Sequence, residues 1–150
     1  SSRRRNSSQL KAVSQRGWPW LVGGQPDSSV MKADDHCVSI HPYFRISAES
    51  EQRVMELCRE FVERSGREPL CLYYGFSRAG NVLHCREGYR GAAGALAHLE
   101  NVGELLQNFL QTCELMRLEV HGPCEELEKL RPALTAFPVE FFELQIGFRR

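Results

Sequence analysis

The apolar residues of this chain change period in a fixed order, and that order constrains the fold more than any single residue does. Residues 37–46 alternate, with Val38, Ile40, Phe44 and Ile46 on one face and Ser39, His41, Tyr43 and Arg45 on the other, the period of a half-buried strand. Pro42 lies inside this run. It removes a ladder donor and calls for an edge position or a bulge. Ser47 is placed to cap a helix, and Val54, Leu57, Cys58, Phe61 and Val62 recur at helical spacing until Ser65-Gly66. Leu70, Leu72, Tyr74 and Phe76 alternate again, and a turn at residues 78–81 leads into a third strand over Val82 to Glu87. From about Arg90 to Gln111, Ala92, Leu96, Leu99, Val102, Leu106, Phe109 and Leu110 make the stripe of a long helix. Met116, Leu118 and Val120 form one face of a fourth strand. Gly122-Pro123 starts a short helix carrying Leu127 and Leu130, and Phe142, Leu144, Ile146 and Phe148 give a last strand.

The order β-α-β-β-α-β, followed by a short helix and a strand, predicts an α+β fold of ferredoxin-like split β-α-β type: an antiparallel sheet with two helices on one face. The other face is left with Leu115, Arg117, Glu119 and His121 on the fourth strand and Ser39, His41, Tyr43 and Arg45 on the first. Such a mixed surface suits pairing with a second copy, so a homodimer is expected. A chain of 150 residues holds one domain of this kind, here residues 36–150. Residues 1–35 form a separate extended arm.

That arm carries six basic residues against three acids, is rich in Ser, Gly and Pro, and has no acid before Asp27. Its composition resembles a processed transit peptide, which points to a plastid or mitochondrion; otherwise the chain is expected to be a soluble cytoplasmic protein. Trp18 and Trp20, held around Pro19, are the candidate partner-binding anchor, seated on the chain's own domain or on a larger assembly. Over the whole chain 19 basic residues balance 19 acidic ones, which argues against a nucleic-acid partner. No apolar run reaches the roughly 20 residues that span a bilayer. The six cysteines lack a CxxC spacing and fall within apolar patterns, as core thiols do. His36-Cys37 and His84-Cys85 are neighbours whose side chains point to opposite strand faces, so neither pair chelates one ion and no metal is expected.

Two stretches carry a family resemblance. SGREPLCLYY, residues 65–74, resembles the lead-in "S-x-x-E-P-G-C-x-x-Y" to the second strand of the antibiotic biosynthesis monooxygenase-like superfamily of dimeric α+β barrels. Glu87-x-Tyr89 followed by Ala93 and His98 is similar to that family's "E-x-W/Y … A … H" signature. The resemblance covers roughly Cys37 to Gln111. It implies a homodimer with sheets face to face and a pocket between each sheet and its helices. It does not imply one chemistry, because members include cofactor-independent oxygenases of phenolic polyketides, quinol oxygenases and haem-degrading enzymes. The polyketide oxygenases use an Asn four residues before a strand-end Trp, where this chain has Cys85 and Tyr89. The haem-degrading members place an axial His ten residues after a helix Trp, where this chain offers His98 and Asn108. No cofactor is therefore expected.

What remains is a candidate acid–base set, Glu87 and His98 with Tyr89, because a buried carboxyl beside an imidazole shifts both toward neutrality. Tyr74, Phe76, His84, Cys85 and Phe109 are the candidate pocket lining, suited to a small apolar aromatic ligand. The same residues also fit plain structural roles, with Glu87 and His98 satisfying each other. Two functions follow. One is a small cofactor-independent monooxygenase or related acid–base enzyme acting on an aromatic or quinone-like molecule. The other is a catalytically silent subunit of an organellar assembly, docked through its arm. Gly88, Gly91 and Gly94 are assigned to close helix-to-sheet approach, and the acidic run 125–128 to a solvated helix face.

Overall fold

The structure, a computed structural model, describes residues 35–150; the expectations for the arm, with Trp18 and Trp20, lie outside the described residues. The elements are β1 (Cys37–Arg45), α1 (Glu51–Ser65), β2 (Cys71–Ala79), β3 (Val82–Arg90), α2 (Gly91–Leu110), β4 (Glu114–Gly122), α3 (Cys124–Leu130), a 3-10 turn (Arg131–Leu134) and β5 (Val139–Glu143). They build one sheet of order β2-β3-β1-β4-β5, antiparallel except for β5, which runs parallel to β4. This is an α+β, ferredoxin-like split β-α-β sheet with a parallel strand added at one edge.

The helices pack on one face over two apolar clusters. Val38, Ile40, Tyr89, Ala92 and Val120 meet Leu127 and Leu130 of α3 at one end. At the other, Phe44 and Leu83 meet Val54, Leu57 and Phe61 of α1 and Val102, Leu105 and Phe109 of α2. Phe109 sits edge-on to both Phe44 and Phe61, with ring centroids 4.9 and 5.4 Å away. Such pairs add about 0.5–1.5 kcal/mol each beyond area burial. Gly80, at φ +60°, makes the tight β2–β3 turn.

Pro42 is in a central strand, and the bulge it calls for is present: the β1–β4 register shifts between Tyr43 and Phe44, pairing Tyr43 with Arg117 and Phe44 with Leu115. Four expectations are corrected. Met116 is skipped and points out, while Leu115 turns toward the helices instead of joining the open face. The last strand covers only Val139–Glu143, and Ile146 and Phe148 beyond it are 70% and 60% exposed. α1 begins at Glu51, after Ser47 and Ser50 have bonded each other's polar groups in a turn.

The fourth correction concerns the acidic run. Glu126 is buried, its Oε2 accepting the backbone N–H of Ala92 at 2.7 Å and its Oε1 the Lys129 ammonium at 2.7 Å. A carboxylate from α3 thus satisfies one of the unpaired N–H groups that open α2. Gly91 makes room for it: its φ is +65°, and a Cβ there would lie 2.8 Å from Glu126 Oε2. Gly94 lets α2 approach the sheet, since a Cβ would meet Leu70 Cβ at 3.0 Å and Tyr89 Cβ at 3.1 Å. Gly88 leaves space for the Tyr73 ring.

Candidate functional site

Alternation along β3 sends Leu83, Cys85, Glu87 and Tyr89 toward the helices. Across from them, α2 turns its buried stripe of Ala92, Ala95, His98, Val102, Leu105 and Phe109 inward. His98 reaches the sheet because Gly94, one turn earlier, holds helix and sheet close. Between these walls lies a cavity of about 70 Å³, well above the roughly 10–15 Å³ that one water needs. Its polar lining is Tyr74, Cys85, Glu87 and His98; the rest is apolar, with Phe76 and Phe109 on the aromatic side and Leu134 and Phe137 across from α2.

Glu87 and His98 are 5% and 3% exposed. His98 Nε2 lies 3.4 Å from Glu87 Oε2, the same oxygen to which the Tyr89 hydroxyl donates. The other imidazole nitrogen, Nδ1, is 3.0 and 3.2 Å from the two oxygens of Glu68. A carboxylate can only accept, so Nδ1 carries the proton and Nε2 turns its lone pair toward Glu87. Asn101 Nδ2 donates to Glu68 Oε1 at 2.7 Å and fixes that carboxylate in turn.

Burial sets the charge state of the pair. Desolvation raises the Glu87 carboxyl to about 8, helped by the Glu68 charge and opposed by the Tyr89 hydrogen bond. Desolvation also lowers His98, with Glu68 pulling the other way. Both shifts favour the neutral form, so near pH 7 the cavity faces a carboxylic acid and an uncharged imidazole rather than an ion pair. Burial raises the Tyr74 hydroxyl and the Cys85 thiol far above their usual values. Neither ionises near neutrality. Tyr74 and Cys85 shape the cavity wall without supplying charge.

The structure therefore brings together Glu87, His98 and Tyr89, and lines the cavity with Tyr74, Phe76, Cys85 and Phe109. Tyr89 stands behind Glu87 and touches the cavity only through it. His84 does not belong to the lining. An odd number of residues from Glu87, it faces the opposite side of the sheet, bonded through Nδ1 to the Pro42 carbonyl at 2.9 Å and stacked on Tyr43. The residue that sequence reasoning missed is Glu68. It lies 30 positions from His98, inside the motif that carried the resemblance, but nothing in local periodicity signals that contact. All six cysteines are free. Among the described residues no group of three His, Cys, Asp or Glu side chains is arranged to hold a metal ion.

A split β-α-β sheet with its helices packed on one face defines the fold class. The chain has the fold of the antibiotic biosynthesis monooxygenase-like structures. It belongs to one family with MupZ from Pseudomonas fluorescens, which it matches at 43% identity and a TM-score of 0.73, over 77% of this chain and 95% of that one. More distant structures share the fold alone. A candidate antibiotic biosynthesis monooxygenase from Nitrosomonas europaea is 17% identical, with a TM-score of 0.54 over 60% of this chain and 92% of that one. Rv0793 from Mycobacterium tuberculosis is also 17% identical, with a TM-score of 0.52 over 58% of this chain and 94% of that one. No protein-family model and no curated protein sequence matches the chain.

Proposed function

We propose that the chain is an acid–base enzyme that takes a small, flat, apolar substrate of phenol, hydroquinone or anthrone type, and in the manner of a cofactor-independent monooxygenase passes it to dioxygen. One observation carries this reading: the buried Glu87–His98 pair is the main proton-active feature of a cavity whose other walls are aromatic and aliphatic. A substrate hydroxyl or acidic C–H set against this pair meets a lone pair on Nε2 and an acid on Glu87. Deprotonation by His98 leaves an electron-rich anion, which is itself the reductant of dioxygen. For a methylene carbon the balance is one O₂ consumed, one C=O formed and one water released. Glu87 supplies the proton that the leaving oxygen needs. Positioned proton transfer of this kind contributes about 10²–10⁴-fold to rate.

Oxygen uptake by the full chain with a panel of hydroquinones and anthrones tests the reading. Uptake is expected in the wild type and lost in His98→Ala and Glu87→Gln. Equal rates in wild type and variants overturn it. The competing reading, a silent subunit docked through residues 1–35, rests on residues outside those described, and an unfilled cavity lined by a proton pair favours the enzyme. Co-purification of a larger complex with the full chain but not with a version lacking residues 1–34, together with no oxygen uptake, would reverse that preference. A homodimer through the open sheet face, placed in an organelle or the cytoplasm, completes the proposal. Among the described residues no helix is long and apolar enough to cross a membrane.

A further inference from the structure

Glu68 is not needed to explain how His98 meets a ligand, yet it is held with care. Both of its oxygens face His98 Nδ1, and Asn101 fixes one of them. It also lines a second feature, a shallow open depression on the surface formed by Arg64, Arg67, Glu68, Pro69 and Asn101. Glu68 thus touches solvent on one side and the buried imidazole on the other. The imidazole in turn touches Glu87, which borders the cavity. Tyr89, the other partner of Glu87, is fully buried and leads nowhere.

We propose that Glu68, His98 and Glu87 form a proton relay that joins the apolar cavity to solvent at the depression beside Arg64 and Arg67. The inference rests on the acid–base reading of the same site and adds how its protons are exchanged. A ligand seated against Glu87 displaces water from the cavity, and the lining offers no other polar route. The relay works in balanced steps. A proton taken by Nε2, from substrate or from Glu87, makes an imidazolium. The imidazolium passes its Nδ1 proton to Glu68, which releases it to water at the surface. One proton leaves the cavity and one appears in solvent. Once Glu87 has given its own proton to the leaving oxygen, Nε2–H passes its proton to the Glu87 carboxylate while Nδ1 takes one from Glu68, recharged by solvent, which restores the Nδ1–H form and the Glu87 acid. Glu68 is on this account a positioning and relay residue that never meets substrate.

The decisive variant is Glu68→Gln, whose amide oxygen still accepts from Nδ1–H but cannot take the proton. In full-length protein with isotope-labelled imidazoles, NMR reads two things: the His98 tautomer and the exchange rate of its Nδ1 proton with water. The tautomer is expected to persist in Glu68→Gln while exchange slows at least about a hundredfold, the lower end of what a positioned proton acceptor contributes. Glu68→Asp, which keeps a carboxylate, is expected to recover most of the rate. Unchanged exchange in Glu68→Gln overturns the relay. Should that variant not fold, the wild type decides: exchange through a surface carboxylate rises with added buffer base, and a flat buffer dependence overturns the proposal. Neither readout requires turnover. Loss of the oxygenase reading with relay exchange intact, or the reverse, can therefore be told apart.

Discussion

Glu87 holds its proton because the fold gives it an imidazole, a phenol and hydrocarbon for company, and that choice has a thermodynamic signature. Its carboxyl is raised from 4.5 to about 8 in the folded chain. Between those values the native state binds more protons than the unfolded one, so stability falls as pH rises. The contribution is fully present below about pH 4.5 and is lost as pH climbs through about 8. Glu87→Gln removes the titration. Melting curves from pH 5 to 9 are therefore expected to fall less steeply between pH 5 and 8 in the variant than in the wild type, with the gap levelling off above about pH 8. Parallel curves would mean that Glu87 titrates as an ordinary carboxylate. The even spacing of 83, 85, 87 and 89 made the inward face of β3 readable from sequence. Assigning His84 to the same pocket broke that rule, and the structure enforces it.

At the level of elements, the joint between β3 and α2 depends on three contacts that sequence periodicity only partly revealed. The glycines at 88, 91 and 94 were legible as close-packing positions, but their partners were not, because Tyr73, Glu126 and Leu70 come from other elements. Glu126 looked like one more solvated acid in an acidic run. Only the tertiary approach of α3 to the start of α2 shows it to be a cap. Glu126→Ala is expected to cost about 1 kcal/mol, as loss of an N-terminal cap does. Gly94→Ala is expected to cost about 1–3 kcal/mol by forcing Leu70 or Tyr89 aside. Denaturant unfolding measures both. The two should also differ in function: shifting α2 moves His98, so Gly94→Ala should lower activity beyond its effect on stability, whereas Glu126→Ala should not. The bulge beside Pro42 belongs here too. The proline signalled a break in the ladder, but which residue would be squeezed out depends on the partner strand, and Met116 rather than Leu115 was expelled.

For the molecule as a whole, the sequence of periods was enough to order the first four strands and both long helices, since each buries one face and keeps its period undisturbed. The end of the chain was less legible. Phe142, Leu144, Ile146 and Phe148 alternate like a strand, yet the ladder stops at Glu143 and the later residues remain exposed. The open face of the sheet places His84 and His121 each in ring contact with His41, beside Tyr43 and Phe142. His121 is bonded to Glu119, which also pairs with Arg117, so each element facing His41 brings a titratable group. His41 is lowered by burial and by the neighbouring imidazoles. If two copies meet on this face, acidification charges both surfaces alike. Sedimentation is expected to show a dimer at pH 7.5 that weakens toward pH 5; a monomer at both, or a dimer indifferent to pH, would count against pairing through the histidines.

The polar groups of the site all come from the span 68–101, whereas much of the apolar wall that a ligand would touch lies outside it, on β1, α1, the later turns of α2, β4 and the 3-10 turn. Proton chemistry and ligand shape are thus written in different parts of the gene. Substitutions after residue 101 can redraw which molecules fit without rewriting the reaction. Exchanging residues 102–137 between relatives is then a way to trade substrate preference as a block.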